Sequence, residues 1–580
     1  MSRESFRLFC LLFLSSVFVH SCVKQRDLKS NTVIVRENAF PDGLHPTNSS
    51  SGVTSFIHSL TQKSLLSTDL ATGKTIPLLV EFLPTTDSSG LIYRFQLKKG
   101  IFWDNKDELS IKDVIFSTKA LLCPLTNNPQ IRPIYASIID SVYPDQKDER
   151  VFYMKAKNIH ISNSEAIGGI PLLQQSHWDP NNTLNALTFS NIHSEKFTTT
   201  EALDKWFNQY NSADNSYVPE KLVGLGPYQV EKIEKDNFIS LVRKKDWWGE
   251  AFVGADYDNR PKKIIFKIIT DDTPAFLAIK NQEIDFNASR GGVSRLLKLQ
   301  TKDYFNENYE SEFVPTYGYT YIGLNTKPNE SSQVPFFVDK NVRKAIAHLI
   351  PVDEIITVIK YGKATRQSSI VSTHKSACDT SLKPVEYNIE KARQLLSEAG
   401  WRDTDGDQII DKMINGKKEQ FSFKLNYITR GNNKEIVFMM KESLQKAGIQ
   451  LISNPLDFNS HYGKASNHDF DAMIGVWGSG SGYSDPTQLW STESWSNKGA
   501  NFCGFGNSKS DSLIVKANTS LNEEEHLKAY KELQALIYEE QPYVFLWSDL
   551  LPMVSHKRFK NNNFYKARPN TSIGSYQLLE

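Results

Sequence analysis

Cysteine is scarce, at 5 in 580 residues. Cys10 and Cys22 lie in the first 22 positions, and the remaining three, Cys123, Cys378 and Cys503, are far too widely spaced for a CxxC redox or zinc pattern. Three is an odd number, so at least one thiol stays unpaired; whether two of them are bridged is open, and a buried free thiol is the plain reading for each. Net charge is almost nil, 67 Lys plus Arg against 66 Asp plus Glu, which argues against a basic nucleic-acid footprint over the whole chain. No HExxH, P-loop or nucleophile elbow occurs, and neither Gly224-x-Gly226 nor Gly478-x-Gly480 completes GxGxxG. The 12 histidines are dispersed, so no metal or haem ligand set is expected. His45, His177, His374 and His461 sit in polar surroundings and read as solvated. The inventory therefore excludes the common catalytic constellations and points away from an enzyme.

What is present is a long globular chain. At 580 residues it exceeds the size at which one core stops growing, so two or three lobes are expected. Its 33 Phe, 23 Tyr and 10 Trp are enough to furnish a binding cleft as well as cores. At the N-terminus, Arg3 and Arg7 precede the apolar run Leu8–Val19. That run is shorter than the roughly 20 residues needed to span a bilayer, so it reads as a signal-peptide h-region. It ends in V-H-S-C, which resembles a bacterial lipobox and implies cleavage before Cys22, lipidation of that residue, and a polar tether over 23–32. Val23 after the cysteine is not the aspartate that commonly retains such proteins at the inner membrane.

Local patterns give the elements. LVGLGPYQVEKIEKDNFISLVRKKDWW, 222–248, is a glycine-led hairpin with Asp236–Asn237 at the turn and an aromatic pair at the end. Ser110 caps a helix with Asp113 reaching back. KKIIFKIIT is a buried strand followed by a helix with Pro274 in its first turn. YGYTYIGLN is a strand, and two amphipathic helices break at Pro351. Asn388 caps a further helix ended by Gly400. Asp403, Asp405 and Asp407 space like a calcium loop, but the glycine falls at position four and Ile414 occupies position twelve, so a structural turn is read there. FSFKLNY, a helix and IQLISNP form a strand–helix–strand unit expected to be parallel. In FDAMIGVWGSGSGYSDPTQLW a buried strand ends at Trp477 and a glycine-rich loop follows, exposing backbone amides and an aromatic where the strand stops. Glu523–Gln541 is an amphipathic helix stopped by Pro542, and PYVFLW is a buried strand.

In their order, five of these stretches resemble family 5 of the extracellular solute-binding proteins of ABC importers: the G-x-G-P-Y hairpin with its aromatic pair, the D-x-x-T-G entry at 69–73, LKKGIFWDNK with Asp104, VDKNVRKAIAHL, and the Trp477 strand with its loop. The resemblance runs from about Val33 onward and is weakest over 122–215. It implies an α/β, periplasmic-binding-protein-like fold with an extra inserted lobe: two main lobes of mixed sheets flanked by helices and joined by a hinge. The implied division is 1–22 signal peptide, 23–32 tether, 33–66 with 222–318 and 543–580 as lobe I, 67–221 as the inserted lobe II, and 319–542 as lobe III. The implied ligand is a peptide or similar small solute, held by Trp477, Gly478, Gly482, Tyr483, Asp485, Tyr319 and Tyr321, with no catalytic residue, cofactor or metal. Peptide-binding relatives place an aspartate for the ligand's amino group four residues before the proline; Gly482 stands at that position here, with Asp485 directly before Pro486. The implied setting is a monomer in the bacterial periplasm or cell envelope, lipid-anchored at Cys22, handing solute to an ABC permease and binding no nucleic acid. The alternative is a surface receptor or adhesin on the same scaffold, uncoupled from transport.

Overall fold

A computed structural model of the chain describes residues 26–289, 291–328 and 334–580; the signal segment and Cys22 lie outside these. The fold is mixed α/β, dominated by one 12-stranded sheet and a separate 4-stranded sheet.

Along the large sheet the strands run in the order Gln450–Leu456, Ser422–Ile428, Ala472–Trp477, Tyr319–Leu324, Tyr543–His556, Phe286–Ala288, Thr32–Glu37, Lys263–Ile268, Phe238–Arg243 and Tyr228–Glu234. The strand at its centre, Tyr543–His556, is 14 residues long, and its two halves have different neighbours. The first half pairs antiparallel with Tyr319–Leu324, while the second pairs with Tyr309–Pro315 and Phe286–Ala288. PYVFLW is thus only the beginning of a strand whose hydrophobic run, SDLLPMVSH, continues across the molecule. Where the partner changes, Ser548 Oγ donates to the carbonyls of Thr316 (2.9 Å) and Gly318 (2.7 Å). Thr316 Oγ1 donates to Asp549 O at 2.9 Å. The two crossing chains are laced together at that one level.

The hairpin strands Tyr228–Glu234 and Phe238–Arg243 are antiparallel, with Asp236 at the turn in the left-handed region at φ 59°. Asp tolerates that conformation because its short polar side chain bonds locally. Trp247 and Trp248 both point their indole N–H at Leu225 O, at 2.9 and 3.0 Å, closing the hairpin onto its glycine-rich approach. A Cβ at Gly224 would lie 2.2 Å from Thr61 O, and one at Gly226 would lie 2.3 Å from Leu60 O. Those two glycines are therefore required by the close approach of helix Gly52–Thr61. Lys244, also in this stretch, pairs with Asp104 at 2.7 Å, so two of the family-like stretches meet in space.

The small sheet holds Thr85–Thr86, Ile92–Gln96, Val151–Ala156 and Ile139–Pro144, all antiparallel. Helix Ile111–Leu122 packs into the same core through Val114, Phe116 and Leu121. Its first turn is built as expected: Asp113 Oδ2 accepts from Ser110 N at 2.9 Å. Asp113 is 5% exposed, and burial pushes its pKa up against the hydrogen bonds from Gln175 and Ser110. Elsewhere the helices break at Pro351 and end at Gly400 with φ +83°, and Ser422–Ile428 pairs parallel with Gln450–Leu456. No helix among the described residues is long and apolar enough to cross a membrane.

Two of the four histidines read as solvated are not. His45 is 1% exposed, with Nε2 3.0 Å from Tyr210 O, and burial lowers its pKa to about 4. His461 is likewise 1% exposed. Polar neighbours in sequence misled there, because the chain folds His45 onto Tyr210 and Trp178, more than a hundred residues away. Cys123, Cys378 and Cys503 are all buried free thiols.

Candidate functional site

A cavity of about 550 Å³ lies among segments remote in sequence. Helix Gly52–Thr61 supplies Phe56 and Ser59 to it, the stretch Leu66–Thr75 supplies Thr68 and Leu70, and the small-sheet region supplies Ile131, Tyr135 and Glu165. The C-terminal tail adds Arg568 and Thr571. Its volume falls within the roughly 300–1,000 Å³ of small-molecule sites, and its wall mixes apolar surface with a few charges as such sites do. Lys63 is the most deeply placed of these charges. It is 9% exposed, and its ammonium has one hydrogen-bond acceptor, Ser59 O at 3.2 Å. Burial pushes its pKa down, and Asp256 offsets this in part.

The glycine-rich loop 478–484 meets this cavity at Glu165, a residue of the short helix Asn163–Gly168. A Cβ at Gly482 would sit 2.7 Å from Glu165 Oε2, and one at Gly73 would sit 2.9 Å from Ser481 Cβ, so the loop is pressed against both. Beneath the loop lies Lys375. Its Nζ donates to Ser479 Oγ (2.7 Å), Gly482 O (2.8 Å) and Ser484 Oγ (2.9 Å), and Ser479 and Ser484 are themselves 2.7 Å apart. All three ammonium hydrogens are thus committed to fixing the loop's shape. Burial brings the Lys375 pKa down to about 8, with Glu165 opposing it.

Tyr319, Tyr321 and Trp477 are brought together, but as core. Tyr321 is 1% exposed and stacks on Tyr543 at 3.8 Å and on Trp477 at 6.1 Å. The hydroxyls of Tyr319 and Tyr321 are buried without a hydrogen-bond partner. Gly478 is exposed, with nothing within 4 Å of where a Cβ would be. Tyr483 donates to Asn518 Oδ1 at 2.8 Å and packs edge-on against His526 and Tyr530. Asp485 accepts from Thr487 N (2.8 Å), Thr487 Oγ1 (2.6 Å) and Asn518 Nδ2 (2.9 Å), and lies 3.3 Å from His160 Nε2. Burial works to raise its pKa, but His160, Thr487 and Asn518 outweigh burial and hold the carboxyl at about 2. Of the seven residues expected to hold ligand, none lines the cavity; Gly482 borders it through Glu165.

His160, with Ile161 N donating to Asn518 O at 2.7 Å, ties the small-sheet region to the segment carrying the loop. Residues 403–411 form a turn whose carboxylates are occupied from within: Asp403 accepts from Gly406 N and Gln408 N, and Lys418 pairs with Asp405 at 2.7 Å and Asp411 at 3.2 Å. Sequence reading missed Glu165, Lys375 and Lys63. Each sits in an unremarkable polar stretch, and only the loop's run of glycines and serines hinted that something would have to organise it.

A family model described as bacterial extracellular solute-binding proteins, family 5 Middle, matches residues 74–500. The chain belongs to that family. It is 27% identical over 545 residues to the oligopeptide-binding protein AppA of Bacillus subtilis, covering 89% of each chain. The structure of AppA from Bacillus subtilis in complex with a nonapeptide is similar with a TM-score of 0.67 at 22% identity, over 96% of this chain and 100% of that one. NikA from Brucella suis in complex with Fe(III)-EDTA gives a TM-score of 0.73 at 18% identity, over 94% of this chain and 100% of that one. The fold is accordingly periplasmic-binding-protein-like, and the relatives are solute-binding proteins, not enzymes.

Proposed function

We propose that this protein captures a short peptide or peptide-like solute in the cavity bordered by Glu165 and loop 478–484 and delivers it to an ABC-type permease. The observation carrying the reading is that cavity: one enclosed space whose wall is assembled from residues 46 to 574 and which the organised loop abuts. Closure of such a site is favoured only to the extent that ligand binds the closed form more tightly. The peptide complex of AppA supports the choice of ligand class. The division of the chain into lobes 33–66 with 222–318 and 543–580, 67–221, and 319–542 belongs to the same proposal, with the crossing strands as hinge. So do export and lipid anchoring at Cys22, which rest on the R-rich start, the short apolar run and the V-H-S-C sequence.

Native mass spectrometry of the protein purified from its own cells tests the ligand reading. The expected result is a set of bound masses that fragment into amino-acid residues. A single non-peptide mass, or a metal chelate, would overturn it. Mass analysis of the same preparation tests the anchor, since lipidation adds a diacylglyceryl mass to a chain that begins at Cys22.

A further inference from the structure

Glu165 is the one acidic group where the cavity and the loop meet, and among the described residues its carboxylate accepts no hydrogen bond and forms no ion pair within 4 Å. The nearest organised cation, Lys375, cannot supply the missing donors, because its three hydrogens point to Ser479, Gly482 and Ser484. Lys63 and Arg568 line the same cavity without pairing to Glu165. The space the carboxylate occupies exists because position 482 has no side chain: a Cβ there would lie 2.7 and 2.9 Å from the two Glu165 oxygens. A carboxylate with open lone pairs in a partly desolvated cavity wants N–H donors carrying positive charge. We propose that Glu165 is the receptor for the ligand's ammonium group, so that the site selects solutes with a free amine at the end lying against loop 478–484.

This rests on the peptide reading above, and the test separates the two. The full protein is incubated with an equimolar library of unblocked tripeptides and with the N-acetylated form of the same library, and captured peptides are counted by mass spectrometry. Charge-assisted hydrogen bonds of this kind correspond to a preference of about 10- to 100-fold for the free amine. E165Q should erase that preference while leaving the thermal midpoint unchanged, because Glu165 supports nothing else. Moving the carboxylate to the opposite side, in E165A/G482D, should restore it. Equal capture of free and acetylated peptides by the unmodified protein, or an undiminished preference in E165Q, would overturn the inference and leave the peptide reading standing. Capture of neither library would overturn both.

Discussion

Two buried lysines stand on opposite sides of the binding region, and they are solved differently. Lys375 has three acceptors for three hydrogens; Lys63 has one. Burial lowers the pKa of both. The difference lies in what each charge organises: Lys375 holds a loop of glycines and serines that has little internal reason to be ordered, whereas Lys63 lies in a wall already fixed by helix Gly52–Thr61. The segment carrying the loop has satisfied its polar groups from within, and the cavity wall keeps charges in reserve. Ligand discrimination therefore belongs to the cavity wall, and the loop's contribution is shape.

The sharpest way to break this contrast is Lys375→Met. Amide exchange over residues 479–484 should accelerate about 10- to 100-fold, since local opening no longer breaks three charge-assisted bonds. Global stability should change by no more than about 1 kcal/mol, because removing a buried charge offsets much of what the lost bonds contributed. A pH signature accompanies it. With a folded pKa near 8 against an ordinary value of 10.5, the unfolded chain binds more protons between those limits, so this group makes stability rise with pH across about 8 to 10.5. That rise should be reduced in the Met variant when urea midpoints are compared across the window. Unchanged exchange over 479–484 would mean the loop is ordered by something else.

Asp485→Asn probes the tie between the loop and the small-sheet region. The carboxyl titrates at about 2 when folded, below its ordinary 3.8. Its stabilisation is thus fully present above pH 3.8 and is lost as pH falls through 2. The side chain retains 45% exposure, so solvent screening reduces the effect to about 1 kcal/mol. Chemical unfolding should show the parent and variant separated at pH 5 and converging toward pH 2. A gap that persists to pH 2 would show that the amide disrupts packing and that charge is not the cause.

Lys63→Met should do the opposite of weakening the empty protein. An ammonium with one acceptor is costly to bury, and an apolar replacement of similar volume is neutral or stabilising by about 1 kcal/mol. A loss of several degrees in the thermal midpoint would mean that Asp256 depends on this lysine more than the geometry indicates, and the contrast between the two lysines would fail.

The contrast also explains what could be read in advance. Periodicity and punctuation located the hairpin at 222–248, the cap at Ser110, the break at Pro351 and the strand into Trp477, because each is decided by residues within a few positions. The long strand Tyr543–His556 was legible only in its first six residues, since SDLLPMVSH carries Ser548, Asp549 and Pro552 inside the run. Its partners change there, and polar residues at a crossing do not look like strand. Tyr319 and Tyr321 were rightly placed on a strand, but the sequence could not say which face of it meets solvent; both hydroxyls face the core. Glu165 and Lys375 acquire meaning only because chains 210 residues apart converge, which no local pattern encodes.

The smallest effect sought is at Gly478, and it tests whether the loop is fixed from outside or by its own backbone. Nothing lies within 4 Å of a Cβ built there, and its backbone is not among those in the left-handed region. Alanine at such a position stabilises by about 0.4–1 kcal/mol, through the unfolded chain's lost freedom. If Lys375 alone shapes the loop, Gly478→Ala should raise the thermal midpoint slightly and leave exchange over 479–484 as it was. If exchange there slows as well, the glycine's own mobility limits loop order, and the lysine shares the task with the backbone on which it acts.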